Sequence, residues 1–170
     1  PGLVDDPATK RSLVAHAGVR RIAELWQRVD VAAFGIGGPA WSAAALGPEI
    51  AAELDRSGAV GEILVRPFDI DGRFVCNALH ERTIAFDARD LGRVPIRIAV
   101  AGGPTKVRPI LGALRSGAVT TLITDQPTAE GVLALAAADS GDDPAHGNAR
   151  AGGSGGVDRR QADAVRGRTR

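Results

Sequence analysis

Lys106 stands out by rarity, because the chain carries 19 arginines and only two lysines, Lys10 and Lys106. It follows Gly102-Gly103-Pro104-Thr105, and those follow the apolar run Ile96 to Ala101. That order describes a strand running into two glycines and then into a helix. Glycines let the backbone turn tightly and approach a ligand. A helix start presents unpaired N–H groups and a partial positive charge, which favour anions. A lysine in the first turn runs against that dipole, so another role is open to it. An amine here could hold a phosphate as a point charge or attack a carbonyl as a Schiff-base former. The same residues also read as a surface lysine beside a tight turn. The P-loop spacing GxxxxGK[ST] is absent.

Glu62 begins the apolar run Glu62-Ile63-Leu64-Val65 after Gly58-Ala59-Val60-Gly61. A carboxylate entering a sheet must face a cleft, pair with a cation or accept hydrogen bonds. It could accept protons from sugar hydroxyls, and a satisfied structural carboxylate fits equally well. Gly35-Ile36-Gly37-Gly38 lacks the continuation of a dinucleotide fingerprint. Close backbone packing explains it, with Gly37 a secondary candidate for ligand approach. Ser42, Asp69 and Arg82 are further secondary candidates. Ser42 has no nucleophile elbow. Asp69, Asp71 and Gly72 read mainly as turn chemistry, and Arg82 as a solvated arginine. His16, His80 and His146 are scattered, so no metal spacing appears. No cofactor and no metal is expected. Trp26 and Trp41 read as packing residues.

These residues sit in an alternating order of elements. Residues 7–29 carry apolar side chains near helical spacing. Residues 31–37 form a short, nearly all-apolar run ending in glycines, the pattern of a buried parallel strand. A helix over 47–58 closes at Gly58. Residues 62–69 and 73–79 flank Ile70-Asp71-Gly72, where Asp-Gly suggests a β-hairpin. A second buried strand covers 96–103 and a helix 105–116, with Pro109 near its first turn. A third strand covers 119–125, and a helix over 127–138 starts near Pro127. The fold class is therefore α/β, with a layered parallel sheet and a hairpin insertion. Ligands of such sheets sit outside the carboxyl ends of the strands. Residues 35–38, 101–106 and Thr124-Asp125 lie there.

The chain has 170 residues, 44% of them hydrophobic, 24% charged, and a net charge of +1. That balance argues against a duplex-binding surface, which needs a clustered positive excess. The single cysteine, Cys76, excludes a disulfide framework. No apolar run approaches the ~18 residues of a spanning helix, and no signal peptide opens the chain. No membrane partner is expected, and the default compartment is the cytoplasm. The chain has no methionine and begins with Pro1, which reads as a piece of a longer protein. Residues 1–138 are expected to form the domain. Residues 139–170, rich in Gly, Asp, Arg and Ala, are expected to be a disordered tail.

Five segments taken in order resemble a known family. They are Asp30-Val31-Ala32 through Gly35-Ile36-Gly37; Ser57 through Ile63; Phe68-Asp69 with Asp71-Gly72; Ala99 through Gly103 with Lys106; and Leu122 through Asp125 with Ala129. The match runs from about Pro1 to Leu135 and resembles the effector-binding domain of SorC-type bacterial transcriptional regulators. The resemblance implies a Rossmann-like domain similar to sugar-phosphate isomerases and deaminases. It implies a phosphorylated sugar effector that alters oligomerisation and operator affinity, with a homo-oligomer as the assembly. It implies that Lys106 contacts phosphate and Glu62 the sugar, with Gly102, Gly103 and Thr105 beside them. DNA would be reached only through an N-terminal helix-turn-helix that this sequence does not contain. The first half of the effector domain, with its phosphate loop, is also expected to be missing. The stretch Gly38-Pro39-Ala40-Trp41-Ser42-Ala43 holds no cation where some members hold a second phosphate. That favours a singly phosphorylated or unphosphorylated sugar. The alternative is a sugar-phosphate isomerase or deaminase, for which Glu62, Asp69 or Asp125 would be the base.

Overall fold

Asp6 starts the first helix, because its carboxylate accepts the N–H groups of Ala8 (2.7 Å) and Thr9 (2.9 Å). The computed structural model describes residues 2–38 and 46–139. In chain order, β1 (Gly2–Leu3) leads to α1 (Pro7–Ala15) and α2 (Ala17–Trp26). Then come β2 (Val31–Gly35), α3 (Pro48–Arg56), β3 (Gly61–Ile63) and β4 (Arg66–Phe68). The helix α4 (Asn77–Glu81), β5 (Thr83–Ile84) and a 3-10 segment at Ala88–Arg93 follow. The chain continues through β6 (Ile96–Val100), a 3-10 turn at Pro104–Lys106 and α5 (Val107–Arg115). It ends its described part with β7 (Thr121–Ile123) and α6 (Gln126–Asp139). None of the described helices is long and apolar enough to cross a membrane.

The expected helix over 7–29 is two helices. His16 leaves helical backbone at ψ 136°, ending α1 and capping α2, where its Nδ1 accepts the Gly18 N–H at 3.3 Å. The expected sheet is present as three parallel strands in the order β2-β6-β7. Val31 pairs with Ile96, Gly35 with Val100, and Val100 with Ile123. One face is packed: Phe34, Ala99 and Leu122 meet Ile110, Leu111 and Val132 from α5 and α6. The other face is open. Val31 is 53% and Ile123 54% exposed, with Ile96 and Val100 also in solvent. Parallel strands ordinarily bury both faces; here only one face has a described neighbour.

The hairpin lies earlier than Asp71-Gly72. β3 and β4 pair antiparallel around Leu64 and Val65, both at positive φ (54° and 62°). Two left-handed residues give the turn whose twist suits a two-residue hairpin. Asp69–Arg73 is a separate tight turn, closed by the Asp69 N–H on the Arg73 carbonyl (3.0 Å) and a single Phe68–Phe74 bridge. Residues 73–79 do not form a strand, because Cys76 adopts φ 59° and starts α4. Phe68 and Ile63, both fully buried, press the hairpin onto α5. The approach is close: a Cβ on Gly112 of α5 would stand 2.7 Å from the Asp69 carbonyl oxygen. A second cluster, Ile50, Leu54, Cys76 and Leu79, joins α3 to α4.

Candidate functional site

Three segments converge at the carboxyl end of β2. Gly37 is bridged to Glu62, with the Gly37 N–H on the Glu62 carbonyl at 2.9 Å and the Glu62 N–H on the Gly37 carbonyl at 3.2 Å. The amine of Lys106 reaches across from the start of α5 and donates to the Ile36 carbonyl at 2.8 Å. A Cβ on Gly38 would stand 3.6 Å from that amine, and one on Gly37 would overlap the Glu62 carboxylate. Glycine at 37 therefore leaves the carboxylate its place beside the loop. The sequence candidates Gly37, Glu62 and Lys106 meet here within three consecutive residues of backbone.

Glu62 has a structural duty as well, since its Oε2 accepts the Val65 N–H at 2.6 Å and braces the hairpin turn. The loop after β6 is held by the loop after β7. The Gly103 N–H donates to Asp125 Oδ2 (3.0 Å) and to Thr128 Oγ1 (2.7 Å). Asp125 in turn caps α6, accepting from the Thr128 N–H (2.9 Å) and hydroxyl (2.7 Å). The Thr128 hydroxyl and amide, with the Gly103 amide, hold the Asp125 carboxyl below the usual carboxylate range. Gly103 sits at φ 100°, a backbone conformation that favours glycine. Its amide is engaged, so it serves as a turn; among the described residues the Gly102 and Thr105 amides have no hydrogen-bond partner. No side chain caps α5; the 3-10 turn Pro104–Lys106 runs straight into it. The Thr124 hydroxyl, at the end of β7, is buried without a partner among the described residues.

The remaining candidates do other work. Arg82 donates from Nε to the Val4 carbonyl (2.8 Å) and from Nη1 to the Leu46 carbonyl (3.5 Å), tying the start of β5 to the chain start and to the residue before the Gly47 cap of α3. Asp69 accepts the N–H groups of Asp71 (3.0 Å) and Arg73 (2.9 Å) within its turn. Ser42, the cation-poor stretch beyond Gly38, and the segment 140–170 lie outside the described residues. Asp125 and Thr128 were not singled out from the sequence as a cap, although Asp-x-x-Thr before an apolar helix carries that signal. What the sequence could not show is that this cap also grips the loop carrying Lys106. A cleft of about 470 Å³ runs beside the loop, lined by Gly58, Ala59, Val60, Thr105 and Arg108 among others.

A strand-end loop with a helix start, an amine and a carboxylate is the arrangement of a small-molecule binding domain. The chain belongs to the family described as "Putative sugar-binding domain", whose pattern matches residues 1–134. It is 32% identical over 139 residues to the sorbitol operon regulator of Klebsiella pneumoniae, covering 78% of this chain and 44% of that protein. It is 34% identical over 137 residues to the deoxyribonucleoside regulator of Bacillus subtilis, again covering 78% and 44%. The crystal structure of the full-length Klebsiella regulator superposes with a TM-score of 0.72 at 31% identity, over 78% of this chain and 44% of that one. The chain thus spans less than half the length of these relatives. They are regulators of transcription with sugar-binding domains, not isomerases or deaminases, so the enzymatic alternative is not favoured.

Proposed function

We propose that this chain is the effector-sensing portion of a bacterial regulator of carbohydrate genes, and that its effector is a sugar bearing one phosphate. The observation that carries this reading is the Lys106 amine held on the Ile36 carbonyl beside the Gly37–Glu62 bridge. The phosphate would sit against Lys106 and the free amides of Gly102 and Thr105. Gly103 gives the loop its turn, and the second Glu62 oxygen takes sugar hydroxyls. The engaged lysine still has two N–H donors for a phosphate, because an ammonium has three and one goes to the Ile36 carbonyl. Asp69 is held in its own turn and Asp125 in its cap, so neither stands as a free base for isomerisation. The reading takes residues 1–138 as the effector-binding part, of the same Rossmann-like layering as sugar-phosphate isomerases and deaminases, with 139–170 as a separate tail.

The mechanism is linkage. A ligand that binds one arrangement of subunits better than another shifts the assembly and, in the intact regulator, its hold on DNA. That assembly is a homo-oligomer acting in the cytoplasm. A thermal-shift panel of sugar phosphates and their parent sugars tests the reading. At 100 times its dissociation constant the right sugar phosphate stabilises the fold by about 2.7 kcal/mol. Stabilisation by no sugar phosphate, or by parent sugars equally, contradicts it.

A further inference from the structure

Away from that site, β4 carries a buried guanidinium. Arg66 is 3% exposed, and its Nε and Nη1 are buried with no hydrogen-bond partner among the described residues. No carboxylate forms an ion pair with it among the described residues. The nearest candidate is committed elsewhere: Asp87 takes Arg89 through both oxygens, Nη2 to Oδ2 at 2.6 Å and Nε to Oδ1 at 3.2 Å. Burial alone would raise the Asp87 carboxyl, but the Arg89 hydrogen bonds bring it down to about 2, so it stays ionised for Arg89. Lys10 adds another cation nearby, its amine on the His80 carbonyl at 2.7 Å. Lys10, Arg66 and Arg89 therefore face Asp87 and the more distant Glu81, one positive charge in surplus. Beside Arg66 lies a small, partly open cavity of about 10 Å³, lined by Val65, His80, Thr83, Phe86 and Asp87 among others. That is room for one water-sized guest, too little for a phosphate or a carboxylate metabolite.

We propose that this cavity is a binding site for a single monovalent anion of halide size, chloride in practice, held by the Arg66 fork. A neutral water would meet the orphaned N–H groups but leave the buried charge uncompensated, the state that costs a fold most. A chloride meets both. The site is built by the turn residues of the hairpin on one side and by α4 and the segment after β5 on the other, so the ion fastens these together. The inference does not depend on the sugar-phosphate reading.

The test is thermal unfolding of the 170-residue chain at constant ionic strength, with chloride exchanged for gluconate. The midpoint rises with the logarithm of chloride concentration. Bromide replaces chloride and sulfate does not. Arg66→Met removes the response, while Lys106→Ala keeps it, which separates this site from the effector site. Should Arg66→Met fail to fold, crystals of the unaltered chain grown in bromide show an anomalous peak at hydrogen-bond distance from Arg66 Nε or Nη1. Equal midpoints in chloride and gluconate, a response surviving in Arg66→Met, or no bromide peak would overturn the proposal and leave water as the guest.

Discussion

Lys106 and Arg66 are both drawn out of bulk solvent, and the protein surrounds them differently. Lys106 rests its amine on a backbone carbonyl at the end of β2, where the chain turns at glycines and two loop amides stay free. Arg66 is enclosed by side chains, and its Nε and Nη1 have no acceptor among the described residues. The first arrangement keeps a cation available to a ligand that comes and goes. The second traps a charge that folding can tolerate only if something small and negative is enclosed with it. The β3–β4 hairpin serves both corners, since Glu62 faces Gly37 while Arg66 lies at its turn end opposite Ile63. Availability and enclosure are thus separated by a few residues of one hairpin.

The largest effect should come from freeing that hairpin. Phe68→Ala empties a fully buried site against α5 and is expected to lower stability by about 3–5 kcal/mol in urea unfolding. A loss under about 1 kcal/mol would mean the hairpin is held by something other than Phe68. Next, Lys106→Ala should weaken binding of a sugar phosphate by about 1.5–3 kcal/mol, the scale of hydrogen bonds to charged groups. Its unfolding midpoint should move little, because the amine makes one hydrogen bond. A collapse of the fold would instead make Lys106 a structural residue like Arg82. Smaller again is Thr128→Ala, which takes one of two acceptors from the Gly103 amide. Stability should fall by about 1 kcal/mol, and amide exchange at Gly103 should quicken. Unchanged exchange would show that Asp125 alone holds the loop.

A pH-dependent effect isolates Asp87. Its folded-state carboxyl lies at about 2 against the ordinary 3.8. A lowered value means the stabilisation is complete above pH 3.8 and disappears as pH falls toward 2. Asp87→Asn should therefore cost stability at pH 6 and cost nothing near pH 2. Acid unfolding followed by tryptophan fluorescence reads the difference. A penalty independent of pH would assign the loss to packing.

Much of this arrangement was legible in the sequence. Apolar runs ending in glycine at 35–38 and 101–103 gave the parallel strands and the end at which a ligand sits, because that pattern follows from burial and chain reversal. Lys106 and Glu62 were marked by residue type against their neighbours. Other features had no local signal. Leu64 and Val65 turn the hairpin at positive φ, a place where Asn-Gly is the usual mark, so Asp71-Gly72 drew the hairpin to the wrong turn. His16 divides α1 from α2 through a cap that an imidazole seldom supplies. The enclosure of Arg66 depends on Asp87 choosing Arg89, and spacing alone cannot reveal that choice.

The effector site turns on contact between the Lys106 amine and a phosphate. Calorimetric titration can isolate it as a cycle of two changes, Lys106→Ala in the protein and removal of the phosphate from the sugar. If amine and phosphate meet, the substitution weakens binding of the sugar phosphate by at least tenfold and leaves the parent sugar's affinity alone. Equal losses with both sugars, or none with either, would exclude that contact.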